Sequence, residues 1–131
     1  MRRLLTSFMA VTLSLTGTTL LAAGPKHLIT HNTTDFESNA YVAGSIPSRY
    51  PTKPHTDGKV FWAEVRLACF GHIIDGTCPA LIRVGTNTTM PIDIGMVYLN
   101  LNTGDITPNV IHANGYTMVV NAPGETTLLK D

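Results

Sequence analysis

Residues 60–84 read VFWAEVRLACFGHIIDGTCPALIRV and contain both cysteines of the chain, Cys69 and Cys78. Over residues 60–70 an apolar set of side chains alternates with a mixed set: Phe61, Ala63, Val65, Leu67 and Cys69 against Trp62, Glu64, Arg66, Ala68 and Phe70. This period of two is that of a β-strand with one apolar face. Asp75-Gly76 supplies a turn signal between the cysteines. We therefore expect a strand over residues 60–70 and a turn that we call the cysteine loop, residues 70–77. An even cysteine count in an exported chain favours an intrachain disulfide between Cys69 and Cys78.

The pairing register of this hairpin follows from the positions of the two cysteines. If Cys69 lies opposite Cys78, the same face also carries three apolar pairs, Leu67 with Ala80, Val65 with Ile82 and Ala63 with Val84. The other face then sets Glu64 against Arg83. Disulfide geometry, apolar pairing and charge pairing each predict this one register.

The rest of the chain repeats the β pattern. Runs of β-branched and aromatic residues, bounded by Gly, Pro, Asn and Asp, recur about every ten residues, and no amphipathic helical pattern is sustained after residue 23. Further strands are expected over residues 27–33, 40–46, 92–101, 106–113, 116–121 and 126–130. Asn114-Gly115 and Pro123-Gly124 are typical turn sequences between them. This spacing predicts an all-β fold, a small antiparallel β-sandwich or barrel with one intrachain disulfide.

Prolines limit two of these segments. Pro108 cannot donate a backbone hydrogen bond, so the strand over residues 106–113 is expected to break there or to lie at a sheet edge. Residues 47–58 contain three prolines, Pro47, Pro51 and Pro54. These should hold the segment extended and outside any central strand, as a long surface connection.

The N-terminus has the pattern of a cleavable secretory signal. Arg2 and Arg3 precede a run without charge over residues 4–23, which ends in the small pair Ala22-Ala23. Several Thr and Ser residues make the run too polar for a membrane-spanning helix. We predict a signal peptide over residues 1–23 and a single β-rich domain over residues 24–131. The mature protein is expected to be extracytoplasmic, either periplasmic or secreted.

Charge and composition exclude several classes of partner. Nine basic and nine acidic residues leave the chain without net charge, so it has no basic footprint for nucleic acid and no polybasic patch for a membrane surface. We expect no nucleic-acid partner and no membrane span in the mature chain.

No pattern of residues predicts catalysis or a cofactor. Ser45, Ser48, His55 and Asp57 share one segment, but no strained elbow motif such as G-x-S-x-G surrounds either serine. The histidines are scattered without the paired spacing of common metal sites. A site that gathers His55, His72 and His112 around a metal is kept only as an alternative. The prediction is a non-enzymatic protein without catalytic residues, metal or cofactor.

Two short motifs match the acceptor pattern for N-glycosylation. They begin at Asn32 and at Asn87. Such motifs carry meaning only in a eukaryotic producer, and in a chain rich in Asn and Thr they equally mark turns.

The cysteine loop carries the candidate binding residues His72, Ile73, Ile74 and Asp75. A disulfide would stiffen this loop, so a partner that binds the apolar pair Ile73-Ile74 would have little ordering entropy to overcome. The alternative is that Ile73 or Ile74 folds back and fills the end of the core.

These observations predict an exported binding or assembly module that contacts a protein or a surface glycan through loops or a sheet edge. A small secreted inhibitor that inserts the cysteine loop into a target is the alternative from a different class, beside the metal-binding alternative. If Ile73 and Ile74 are exposed, they can form a contact surface; if they are buried, they fill the end of the core.

Overall fold

Two five-stranded sheets face each other in the computed structural model, which describes residues 24–131. The predicted all-β fold with one intrachain disulfide is confirmed. In chain order the elements are β1 (His27–Asn32), β2 (Ser38–Val42), β3 (Ile46–Pro47), β4 (Thr56–Phe61), α1 (Trp62–Cys69), β5 (Thr77–Val84), β6 (Ile92–Asn100), β7 (Ile106–Thr107), β8 (Val110–Ala113), β9 (Tyr116–Ala122) and β10 (Glu125–Lys130). The predicted signal peptide lies outside the described residues.

The first sheet has the order β4-β1-β10-β9-β8, and the second has the order β3-β2-β5-β6-β7. Neighbouring strands are antiparallel except β1 and β10, which run parallel. This parallel pair joins the first strand of the domain to the last. The two sheets bury a common core that includes Val84 and Val97 from the second sheet and Leu128 from the first. Full burial of such side chains contributes about 1.5 to 3 kcal/mol each.

The prediction of a strand over residues 60–70 is wrong beyond the first two residues. The strand ends at Phe61, and Trp62–Cys69 forms a helix. The buried residues of this helix are Trp62, Val65 and Cys69, and such spacing places them on one helical face. The same residues also fit a period of two over part of the segment, so the pattern alone does not decide between helix and strand. The predicted register of Leu67, Val65 and Ala63 against β5 therefore does not exist.

The disulfide is confirmed, although it joins a helix to a strand and not two paired strands. Cys69 ends α1, Cys78 lies near the start of β5, and their Cα atoms are 5.8 Å apart. The predicted charge pair is also corrected. Arg83 bonds Asp93 on the neighbouring strand β6 at 2.6 Å.

The later strands follow the predicted turns closely. Asn114-Gly115 links β8 to β9 with both residues at positive φ, and Pro123-Gly124 links β9 to β10. The predicted single strand over residues 106–113 is instead two strands in different sheets, β7 and β8, which are separated at Pro108. The expected break at this proline is therefore confirmed, and it lets the chain cross from one sheet to the other.

The segment over residues 47–58 is not wholly a surface connection, which corrects the prediction. Thr52 is buried and forms backbone hydrogen bonds with Ser38 in both directions. The segment also contains the start of β4 at Thr56. Within the described residues, no helix is long and apolar enough to cross a membrane.

Candidate ligand-binding site

A cavity of about 410 Å³ lies between the two sheets. Its wall is mostly apolar and is formed by side chains from both sheets, among them Leu28, Val42, Val97, Met118 and Leu128. Small-molecule sites in proteins enclose about 300 to 1,000 Å³ and are lined mainly by apolar groups with a few polar ones. In size and in chemistry the cavity can therefore accommodate a small apolar ligand.

The space arises because small residues occupy positions that face inward. Ala40 on β2 and Ala80 on β5 line the cavity. Protein interiors are ordinarily packed without voids of this size. Small residues at inward positions of two neighbouring strands are the sequence signal that could have indicated a cavity.

Exposed residues surround an opening of the cavity, which we call the mouth. They are Ile46, Arg49 and Tyr50 on one side, and Glu64 and Leu67 of α1 on the other. The Tyr50 hydroxyl donates a hydrogen bond to Glu64 Oε1 at 2.9 Å, which connects the two sides. This bond to a carboxylate raises the pKa of the Tyr50 phenol. Arg49 and Glu64 are the charged residues of the cavity lining.

Four hydroxyl side chains lie in the inner wall, and we call them the hydroxyl cluster. Ser38, Thr52 and Thr126 are only 3%, 7% and 4% exposed, and Thr30 is half-buried. All four line the cavity. These residues could not be identified from the sequence, because a Thr or Ser in a strand of alternating pattern does not show which face of the sheet it occupies.

The residues predicted to bind, His72, Ile73, Ile74 and Asp75, lie together in the cysteine loop and do not line the cavity. Ile73 is 44% exposed and Ile74 is 62% exposed, so neither fills the core. The loop is folded on itself, because Ile74 and Thr77 exchange two backbone hydrogen bonds of 2.8 and 3.0 Å. The backbone at this turn is therefore already paired.

The metal alternative, which gathers His55, His72 and His112, finds no support. His55 bonds Asp35 at 2.6 Å, and His112 bonds Thr117 at 3.0 Å. Over residues 24–131, no group of three or more His, Cys, Asp or Glu side chains could hold a metal ion.

A different histidine lies in an ionic cluster on the outer face of the first sheet. His31 Nδ1 is 2.7 Å from Asp57, and its Nε2 is 2.7 Å from Glu125. The hydrogen bonds that His31 donates to Asp57 and then to Glu125 raise its pKa above the ordinary value, and desolvation opposes them only in part. Because the three residues come from β1, β4 and β10, the protonated ring links three neighbouring strands.

The two glycosylation motifs differ in access. Asn32 is buried, and its amide donates hydrogen bonds to backbone oxygens, including that of Phe36 at 2.8 Å. Asn87 is exposed. An enzyme acting on the folded domain could therefore reach only the second of these two sites.

Comparison with known proteins gave two matches. A family model described as "NttC: T2SS substrate NttC" matches residues 1–131. The fold is similar to the crystal structure of the Legionella pneumophila type II secretion system substrate NttC, with 56% sequence identity and a TM-score of 0.81. This similarity covers 82% of the present chain and 100% of the other. The comparison with curated proteins found no match.

Proposed function

This chain belongs to the NttC family of type II secretion system substrates, and we propose that it is a non-enzymatic binding module that holds an apolar ligand between its sheets. As a substrate of this system it is exported across the envelope and is extracytoplasmic.

The cavity is the observation that carries the proposal. An open apolar space of about 410 Å³ leaves its wall without packing partners on one side, and the lost contacts are unfavourable unless a ligand fills them. The charged residues of the lining lie at the mouth and not inside. Such a wall suits the binding of an apolar molecule and offers little to acid–base catalysis.

Contact with a partner protein or a surface glycan through the cysteine loop is the second candidate function. It is favoured by the exposure of Ile73 and Ile74 in a loop that the disulfide constrains. Insertion of this loop as an inhibitor is less favoured, because the backbone of Ile74 and Thr77 already pairs with itself and cannot add as a strand to a target.

Binding of 1,6-diphenylhexatriene, a fluorescent dye without polar groups, tests the cavity. We expect saturable binding of one dye per protein. Ala80→Phe places an aromatic ring in the cavity from a buried position of β5 and should weaken dye binding at least tenfold. Because the new ring fills empty space, the melting temperature should not fall, whereas overpacking of a filled core costs about 1 to 3 kcal/mol.

The matched control is the double variant Ile73→Ser, Ile74→Ser. Both side chains are exposed, so the free energy of unfolding should change by less than about 0.5 kcal/mol, and dye binding should be unchanged. If the dye binds the Ala80→Phe variant normally and is lost from the double variant, the ligand site is the cysteine loop and the cavity proposal is wrong.

A further inference from the structure

The hydroxyl cluster is brought together by the register of the first sheet. Thr30 on β1 lies between Gly58 on β4 and Thr126 on β10. Thr52 packs directly over the glycine, because a β-carbon at Gly58 would lie 2.5 Å from Thr52 Oγ1. Ser38 pairs with Thr52 through their backbones. Four hydroxyl residues thus line one part of the cavity wall, and Gly58 provides the room for Thr52.

These hydroxyls lack partners within the part of the chain that the structure describes. The backbone of Ser38 and Thr52 is paired, but the four side-chain oxygens make no hydrogen bond to residues 24–131. A buried hydroxyl without a partner costs about 1 to 3 kcal/mol. Three buried groups of this kind, with the half-buried Thr30 beside them, therefore need an explanation in terms of something that binds them.

A neighbouring buried polar group shows that the fold is able to satisfy such side chains. Asn32 follows two residues after Thr30 on the same face of β1, and its amide donates to Phe36 O at 2.8 Å and Thr52 O at 3.2 Å. Its side-chain oxygen accepts from the Thr34 hydroxyl at 2.8 Å. The polar atoms of the Asn32 side chain are thus hydrogen-bonded, whereas the hydroxyls of the hydroxyl cluster have no such bonds to the described residues.

The charge of the lining limits what these hydroxyls can bind. The charged lining residues, Arg49 and Glu64, are exposed at the mouth. A charged group buried against hydroxyls alone would lose its hydration without gaining an opposite charge, which is costly. A hydroxyl both donates and accepts, so the cluster suits an uncharged group such as an alcohol, a carbonyl or an amide.

We infer that the ligand is an uncharged amphiphile, whose apolar part fills the cavity and whose neutral polar head is hydrogen-bonded by Thr30, Ser38, Thr52 and Thr126. This inference rests on the proposed function and adds the chemical class of the ligand. It places the head inside the protein and leaves the charged residues of the mouth without a role in recognising it.

Displacement of bound 1,6-diphenylhexatriene by two ten-carbon ligands tests the inference. At pH 8, 1-decanol is neutral and decanoate is ionised. We expect 1-decanol to displace the dye at a concentration at least tenfold lower than decanoate does. Thr52→Val and Thr126→Val remove a hydroxyl and keep the side-chain shape, so each should weaken 1-decanol at least fivefold and leave the affinity for the dye unchanged.

Thr127→Val is the matched control. Thr127 is adjacent to Thr126 on β10, but it points to the opposite face of the sheet, where its hydroxyl bonds Asn121 at 2.7 Å. It should leave the 1-decanol affinity unchanged. Thermal melting of each variant checks folding, and loss of an unpartnered hydroxyl at residue 52 or 126 should not lower the melting temperature.

Two results would overturn the inference while the proposed function stands. Unchanged 1-decanol affinity in Thr52→Val and Thr126→Val would mean that the hydroxyls hold water only. Tighter binding of decanoate than of 1-decanol, with that preference abolished by Arg49→Gln, would place an anionic head at the mouth. Failure of the dye to bind the unaltered protein would instead overturn the proposed function, and the inference with it.

Discussion

At the scale of single residues, His31 is the side chain whose charge most directly affects the sheet. It lies between two carboxylates at 2.7 Å each, and its side chain is 30% exposed. The protonated ring can donate to both carboxylates, whereas a neutral ring can donate to only one. The ionic contact of His31 on β1 with Asp57 on β4 and Glu125 on β10 is therefore strongest while His31 is charged.

Stability is expected to depend on pH through this residue. The pKa of His31 is raised in the folded protein above its ordinary value of 6.5, so the folded state binds the proton more tightly than the unfolded state. The contribution is complete below pH 6.5 and is lost as the pH rises through the folded pKa. We expect the difference in melting temperature between the unaltered protein and His31→Gln to be larger at pH 5.5 than at pH 8.5.

The double variant Asp57→Asn, Glu125→Gln removes both partners of His31 and is the control for that experiment. In this background, the larger effect of His31→Gln at pH 5.5 than at pH 8.5 should disappear. A pH dependence that persists without the carboxylates would assign the effect to another group.

At the scale of elements, α1 is placed by contacts at both of its ends. Trp62 donates its indole N–H to Leu101 O at 2.9 Å, and Cys69 is bonded to Cys78. Between these anchors, Glu64 and Leu67 form one side of the mouth. The disulfide therefore stabilises the domain and also positions one side of the opening to the cavity.

Removal of the disulfide is expected to lower stability and loosen the mouth. Cys69→Ala with Cys78→Ala opens a short loop, and the chain-entropy model assigns such a closure roughly 2.5 to 3 kcal/mol. For a domain of this size that is a fall of about 10 °C in melting temperature. Calorimetry gives the fall, and faster association and dissociation of 1,6-diphenylhexatriene would report the looser mouth.

Reduction of the unaltered protein with a thiol reagent should reproduce the same fall in melting temperature. The double variant itself should not respond to the reagent. If the reduced protein melts at the same temperature as the oxidised protein, the helix keeps its position without the disulfide.

At the scale of the whole molecule, the chain crosses repeatedly between the two sheets. It passes from β7, at the edge of the second sheet, to β8, at the edge of the first, through the two residues Pro108 and Asn109. Likewise, α1 joins the edge strand β4 of the first sheet to the central strand β5 of the second. The parallel pairing of β1 with β10 then brings the start of the domain against its end.

The exported protein is expected to begin at or within a few residues of Gly24. The charge-free run over residues 4–23 and the small pair Ala22-Ala23 predict cleavage there. Intact-mass measurement of the protein recovered outside the producing cell checks this. A product that retains Met1 would contradict it.

The sequence alone determined the properties that depend on local chemistry. Alternation of side chains and turn residues predicted the β class and the turns at Asn114-Gly115 and Pro123-Gly124, because backbone conformation at such turns depends on the residues themselves. The cysteine count predicted the pairing of Cys69 with Cys78. Export was predicted from the N-terminal pattern and agrees with the family.

Only the tertiary structure decided what depends on residues far apart in the chain. The segment Trp62–Cys69 fits two periods, and it is helical because its Trp62 side chain docks on Leu101, 39 positions away. Likewise, the cavity and its hydroxyl cluster exist because of which strands face each other across the sandwich. A single sequence indicates the local conformational preference of each residue but not which distant side chains come into contact. These contacts form the candidate site.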